Sequence, residues 1–359
     1  MRIAIVQDAL CVAGGSERLV LWMKQAFPQA PIFTSVFLPG KTFAEYGSMD
    51  VHVLPFARYI RTETQFKVLY LLWLFEIQRM DFSEFDVVLS SSTYLAKYIQ
   101  PAPNVKHASY IYAPFRLLWK PESYSQESLP TPRFLSWFIR KMTPQLRKWD
   151  SRRTRQISRV ATTCQNMAKE IQEKYQLKAS IIYPPIDLSS YPEYEEDGGY
   201  YLSVSRLISH KRVDLAIKAC NALGKNLVVV GDGPEMLNLR RLAGPTIQFT
   251  GNVDNKQLTS LYSHSKGLIF SSHEDFGIVP LEAQACGVPV IAFGKGGVLE
   301  TVREGYTGIF FKDQVVDSLI AGIQQFEKTE FDHAKIRSWI KRFDPMVFLR
   351  TIQDFVISA

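Results

Sequence analysis

Two glutamates eight positions apart, Glu274 and Glu282, lie in S-H-E-D-F-G-I-V-P-L-E-A-Q-A-C-G-V-P-V-I, residues 272–291. An apolar run ends near Phe270, a loop carries Glu274 and Gly277, and a helical stretch then carries Glu282 in its early part. A helix N-terminus presents unpaired N–H groups and a partial positive charge. A diphosphate binds readily in such a place, here at Gly277, Ile278 and Val279. Gly277 lets the backbone come close without a Cβ. Carboxylates on either side can accept hydrogen bonds from sugar hydroxyls, one from a ribose and the other from a hexose. The plainer reading is a glutamate that favours the helix dipole and a solvated loop carboxylate.

A second cluster is S-V-S-R-L-I-S-H-K-R-V-D, residues 203–214. Arg206 and Lys211 follow an apolar run and precede a helical pattern. Two cations there can neutralise a diphosphate and stabilise the charge that builds on a departing one. As an isolated pair they would read as a surface feature. Near the start, Gly14 and Gly15 form a turn between an apolar run and a helical stretch, the opening of a Rossmann-type unit.

The elements that must position these residues follow from the apolar runs. Residues 2–8, 32–37, 51–54, 87–90, 107–112 and 160–163 read as strands, with helices between several of them, notably 66–79. A second series places strands at 200–204, 227–231, 247–250, 267–270, 290–292 and 308–311. Helices at 213–222, 256–264, 277–286 and 298–302 alternate with them. This alternation predicts an α/β fold with two doubly wound parallel sheets. The 359 residues suit two domains of roughly 150–180 residues each. The expected division is an N-terminal domain over 1–177, a linker over 178–191 containing Pro184 and Pro185, and a C-terminal domain over 192–340. A final helix within 341–359 should pack back toward the N-terminal domain.

Charge is unevenly placed. Residues 1–180 carry 24 Lys+Arg against 14 Asp+Glu, and residues 181–359 carry 18 against 21. Nine of the basic residues fall within 133–159, with Asp150 as the one acid there. Such a stretch attracts anions. Its aromatic and apolar members Phe134, Leu135, Trp137, Phe138, Ile139 and Met142 suggest contact with an anionic membrane surface, and Pro144 is expected to interrupt the helix. No recognised nucleic-acid motif accompanies the charge, so nucleic acid is not an expected partner. Cys11, Cys164, Cys220 and Cys286 show no metal or disulfide spacing. The longest apolar run, 68–75, is too short to span a bilayer. A cytoplasmic protein, peripheral on the inner face of the membrane, is expected.

Residues 272–291 resemble the signature E-G-F-G-L-P-x-x-E-A-M-A-C-G-x-P-V of the retaining glycosyltransferases of family four, with Asp275 in place of the first glycine. V-V-V-G-D-G-P-E, residues 228–235, and F-T-G-N-V, residues 249–253, are also similar to that family. The resemblance implies the GT-B fold, two Rossmann-like domains facing across a cleft. It implies a nucleotide-sugar donor whose phosphates meet Arg206 and Lys211. Glu274 then orients the hexose and Glu282 the ribose, and the Gly14–Gly15 turn approaches the donor phosphate or the acceptor. H-A-S-Y-I-Y-A-P-F-R-L-L-W-K-P, residues 107–121, resembles an element of members that build bacterial surface polysaccharides, many of them mannosyltransferases. Tyr112 stands where that element has a histidine, which implies a catalytic role for Tyr112 as a hydrogen-bond donor. Arg116 and Trp119 are then expected at the acceptor, by ion pairing and stacking. The expected activity is transfer of a hexose, mannose from GDP-mannose in the first instance, to a glycan or lipid-linked glycan, with no metal and no cofactor. The alternative is a non-catalytic GT-B protein that binds a glycan or a partner.

Overall fold

The computed structural model describes residues 1–62, 65–66, 69–120 and 133–358. The chain divides into two units, Met1–Pro184 with Met346–Ala359, and Pro185–Pro345.

The N-terminal unit is built on a seven-stranded sheet. Its strands are β1 (Ile3–Gln7), β2 (Ile32–Thr34), β3 (Val51–Val53), β4 (Val87–Ser92), β5 (Lys106–Ile111), β6 (Arg159–Thr162) and β7 (Ala179–Ile181), in the order β3-β2-β1-β4-β5-β6-β7. The C-terminal unit holds a six-stranded sheet of β8 (Tyr200–Val204), β9 (Asn226–Val230), β10 (Ile247–Gly251), β11 (Gly267–Phe270), β12 (Val290–Phe293) and β13 (Gly308–Phe311), ordered β10-β9-β8-β11-β12-β13. Every strand pair is parallel. Both sheets are therefore doubly wound, with the strand order reversing between β1 and β4 and between β8 and β11.

Each sheet is covered on both faces, which explains the apolar strands. Alternate residues feed two cores: Ile5, Leu89 and Tyr110 on one side of the first sheet, Ala4, Val6 and Val88 on the other. In the second sheet, Tyr201, Val229 and Ile291 oppose Leu202, Val228 and Val290. The helix Pro345–Ile357 belongs to the first unit. Phe348, Ile352, Phe355 and Val356, at the spacing of one helical face, are buried in the same core as Ile5.

Three details differ from the sequence reading. Residues 179–181, expected in the linker, form the edge strand β7 against β6, with Ala161 opposite Ser180 and Thr162 opposite Ile181. Ala179, Ser180 and Ile181 hold a single large apolar side chain, too little to mark a strand in the sequence. The helix Arg133–Thr154 runs through Pro144 instead of stopping there. The loss of about 3 kcal/mol that an internal proline causes is offset by anchoring of the helix's second half. Third, the basic stretch is only partly a free surface. Arg147 Nε donates to the Leu118 carbonyl at 2.7 Å, Arg155 Nε to that of Tyr175 at 2.9 Å, and Arg159 to that of Phe355 at 3.3 Å. The side chains of residues 133–140, including the expected membrane-facing Phe134, Leu135, Trp137, Phe138 and Ile139, lie outside the described residues.

The anchor of that helix is Asp150. Its Oδ1 accepts from Lys97 Nζ at 2.8 Å, Tyr98 Oη at 2.7 Å and Thr154 Oγ1 at 3.3 Å. Its Oδ2 accepts from Trp119 Nε1 at 2.6 Å and Tyr175 Oη at 2.9 Å. Burial alone would raise the Asp150 pKa, but Lys97 and the other donors hold it below the ordinary carboxylate value. Asp150→Ala leaves the buried Lys97 uncompensated, and the expected loss is about 3–5 kcal/mol, read from urea denaturation. The sign in pH follows. A carboxyl lowered in the fold contributes fully above its unfolded value of about 3.9, and that contribution is lost as pH falls through the folded value. The difference between wild type and Asp150→Ala should therefore shrink only below about pH 4.

Candidate functional site

In the C-terminal unit the loops after β8 and β11 meet at the sheet's switch point, where parallel sheets form ligand crevices. After β8 the chain runs through Arg206 and a 3-10 turn, Ser209–Lys211, into the helix Val213–Leu223. Gly231, at the end of β9, holds this loop close. A Cβ there would stand 1.9 Å from the Ser205 carbonyl oxygen. Arg212 takes a left-handed backbone, φ 53°, and its guanidinium pairs with Asp214 at 3.1 Å. Arg206 is exposed and has no side-chain ion pair or hydrogen bond among the described residues.

Lys211 Nζ lies 2.5 Å from Glu274 Oε1, which also accepts from Ser272 Oγ at 2.8 Å. The structure thus joins two residues to which the sequence assigned separate tasks. The Glu274 loop is clamped from the far side by the loop after β12. Gly297 N donates to the Glu274 carbonyl at 3.0 Å, and a Cβ on Gly297 would stand 2.3 Å from both the Asp275 carbonyl oxygen and Phe276 Cα. Neither Gly297 nor Ser272 was singled out from the sequence, although the run G-K-G-G after a strand is a readable turn signal.

Gly277, with φ 83°, precedes the helix Ile278–Ala285. The amides of Ile278 and Val279 have no acceptor within the helix, and Pro280 carries no N–H. Glu282 lies one turn further on. Its Oε1 accepts from Tyr191 Oη at 3.2 Å and its Oε2 from Tyr262 Oη at 3.0 Å. Burial, then the neighbouring Glu282, pushes the Tyr262 hydroxyl well above its ordinary pKa, so it stays a donor. Two phenols fix the carboxylate while leaving lone pairs for further donors. The sequence carried no signal for either tyrosine, since they stand 91 and 20 positions from Glu282.

The remaining expected residues lie in the N-terminal unit. Gly14 caps the helix Gly15–Ala26. The first turn of that helix already holds an anion: Glu17, whose Oε2 accepts from Ser16 Oγ at 2.9 Å and lies 2.7 Å from where a Cβ of Gly14 would be. Tyr112 shares a hydrogen bond with Ser91 Oγ at 3.0 Å and donates to the Ser16 carbonyl at 3.3 Å. Burial pushes its hydroxyl pKa up, so the group bridges the end of β5 to the glycine turn and stays protonated. Arg116, half-buried, opens the short helix Arg116–Trp119.

Trp119 is partly buried and already engaged within the N-terminal unit. Its indole N–H is given to Asp150, and Arg147 and Lys174 lie 5.3 and 5.6 Å from its ring centroid. The helix Arg133–Thr154 and its neighbours claim the tryptophan. His107 is buried against Ser90 Oγ at 2.8 Å, and burial lowers its pKa to about 3. It is a neutral structural group.

The family profile described as "Glycosyl transferases group 1" matches residues 191–342. The match covers most of the C-terminal unit and less than half of the chain. This bears out the resemblance carried by residues 272–291. A GDP-mannose-dependent alpha-(1-6)-phosphatidylinositol monomannoside mannosyltransferase of Mycolicibacterium smegmatis is 32% identical over 140 residues, 33% of this chain and 36% of that protein. An N-acetyl-alpha-D-glucosaminyl L-malate synthase of Bacillus anthracis is 32% identical over 153 residues, 39% of this chain and 40% of that protein. The matched stretches thus span well under half of either relative. The solved structure of Anabaena HepE with UDP and glucose superposes over the whole of both chains with a TM-score of 0.71 at 17% identity. That likeness shows the fold, which is GT-B.

The Glu282 arrangement is open to a direct test. Tyr262→Phe removes one of the donors from a partly buried carboxylate, and the expected loss is about 1–3 kcal/mol, measured by chemical denaturation. Tyr191→Phe should lose less, because Tyr191 is less buried than Tyr262.

Proposed function

We propose that the chain is a retaining hexosyltransferase that moves mannose from GDP-mannose to a glycan or lipid-linked glycan acceptor in cell-surface polysaccharide synthesis. The observation that carries this reading is the Lys211–Glu274 pair, which ties the loop after β8, where Arg206 also lies, to the loop that leads into the helix Ile278–Ala285. A nucleoside diphosphate fits there. Its phosphates meet Arg206, Lys211 and the amides of Ile278 and Val279, its ribose hydroxyls donate to Glu282, and its hexose hydroxyls donate to Glu274. As the sugar–phosphate bond breaks, negative charge grows on the leaving diphosphate, where a fixed cation helps most. No carboxylate is assigned as a nucleophile, so the acceptor hydroxyl attacks from the face the leaving group departs. The choice of mannose is supported by the GDP-mannose dependence of the mycobacterial relative. The Bacillus relative and the HepE complex involve other sugars, so the donor is the first thing to test.

A panel of GDP-mannose, UDP-glucose, UDP-galactose and UDP-N-acetylglucosamine should raise the melting temperature selectively, GDP-mannose most. A ligand at 100 times its Kd adds about 2.7 kcal/mol. If none of the four shifts the transition, the reading is wrong. Lys211→Ala should lower kcat by about 100- to 1,000-fold, with a smaller change in donor Kd. Glu282→Ala should do the reverse, weakening donor binding by roughly 10- to 150-fold, the equivalent of about 1.5–3 kcal/mol, with kcat at saturation less affected.

A membrane surface as partner is part of the same proposal. Among the described residues no helix is long and apolar enough to cross a bilayer. Lys148 and Arg152 are exposed on the helix Arg133–Thr154. Charge reversal at both should reduce flotation with anionic vesicles at low salt, and unchanged flotation would remove this helix from the membrane contact.

A further inference from the structure

Tyr191, which donates to Glu282, stands where neither a sheet nor a long helix fixes it. It follows the 3-10 turn Leu188–Ser190 and opens a stretch, 191–198, without helix or strand. A phenol on an irregular segment can hold a carboxylate in one orientation only if its own backbone is held. The hold comes from 146 positions away, from Arg337 on the helix His333–Trp339. Arg337 Nη2 donates to the carbonyls of Leu188 at 3.1 Å and Tyr191 at 3.0 Å. Its Nη1 donates to the Pro192 carbonyl at 3.1 Å and to that of Ala285. Nε faces the Glu193 carboxylate at 3.7 Å. Four of the fork's five N–H groups are thus given to main-chain oxygens.

Ala285 ends the helix Ile278–Ala285, which carries Glu282. Its carbonyl is one of the last four, which have no partner within a helix, and a cation there also suits the helix dipole. One guanidinium therefore ties both sides of the Tyr191–Glu282 hydrogen bond, the backbone of the phenol and the helix of the carboxylate. His333, one turn earlier, adds a second tie. Its Nδ1 donates to the Gly287 carbonyl at 2.8 Å, and its ring stacks on Tyr194 with centroids 3.6 Å apart.

We propose that Arg337 is a positioning residue for the ribose of the donor: it holds Tyr191 against Glu282 and so sets the direction in which that carboxylate accepts the ribose hydroxyls. Arg337 itself touches no substrate. Lysine cannot do the same, because a point charge does not span four carbonyls as a planar fork does. Without Arg337 the cost falls on the ribose contact and spares the phosphates, which meet other groups. The inference rests on the reading of Glu282 as the acceptor of the ribose hydroxyls.

The test is calorimetric titration of the full-length protein with GDP, UDP and their 2′,3′-dideoxy analogues, which lose the hydroxyls and keep the diphosphate. For at least one base, wild type should bind the ribonucleotide at least about tenfold more tightly than the analogue, the equivalent of about 1.4 kcal/mol. Arg337→Met should bring that ratio toward one by weakening the ribonucleotide, with the analogue's Kd unchanged within about twofold. A general loosening of the fold would weaken both compounds alike. Arg337→Lys, the milder change, should lower the ratio as well. Tyr191→Phe should lower it in the same way, and the double variant no further, since both act through one bond. The wild-type ratio kept in a folded Arg337 variant, equal weakening of both compounds, or an unchanged ratio in Tyr191→Phe overturns the proposal. A wild-type ratio of one overturns it together with the ribose role of Glu282. Failure of the transferase reading is separately visible, as no binding of either nucleotide to wild type.

Discussion

A carboxylate buried in a protein must be met by donors from the protein itself, and the N-terminal unit is organised by that demand at Asp150. Five donors reach it from four elements: the 3-10 turn Ala96–Tyr98, the helices Arg116–Trp119 and Gln165–Tyr175, and its own helix. Moving any of these elements strands a lysine, an indole or a phenol in a dry interior. The network therefore sets where the helices after β4 and β5 can lie. Asp8 obeys the same rule with four backbone amides, which fixes the loop after β4 to the end of β1. Two buried acids thus hold the rim of the first sheet in place.

The same distinction separates structural from chemical carboxylates across the chain. Asp8 and Asp150 are saturated by their own fold. Glu282 is oriented by two tyrosines but keeps capacity to accept more. Glu274 and Lys211 pair with each other across the switch point, so each is positioned by the other and neither is locked into the core. Both are partly exposed. An ion pair of that kind is a small contribution to stability, which leaves it free to be rearranged around a phosphate and a sugar.

The strands were legible because both sheets are parallel and doubly covered, so most strand residues are apolar. The site in the second unit was legible because Glu274, Gly277, Glu282, Arg206 and Lys211 fall in two compact motifs. What escaped was set by tertiary contact. Strand β7 is three residues long and gains its identity from pairing with β6. The helices Met236–Leu242, Val316–Phe326 and His333–Trp339 carry no motif that marks them in the sequence. Trp119 looked like a sugar platform from its neighbours in sequence, yet its environment is made by Asp150, Arg147 and Lys174. Tyr191 and Tyr262 had no local mark, because their meaning comes only from Glu282.

The helix Pro345–Ile357 has a consequence for how the protein is made. Its buried face completes the core of the first unit, but 161 residues, Pro185–Pro345, separate the two stretches of that unit. At about 5–20 residues per second a ribosome needs roughly 8 to 30 s to cover that distance. Throughout that interval Leu19, Val20 and Met23 lack their partners Phe348 and Ile352. The second unit, contiguous in the chain, meets no such delay. The order of folding on the ribosome is thereby inverted: the part synthesised first is finished last, and its uncovered apolar face is a natural client for a chaperone in the meantime.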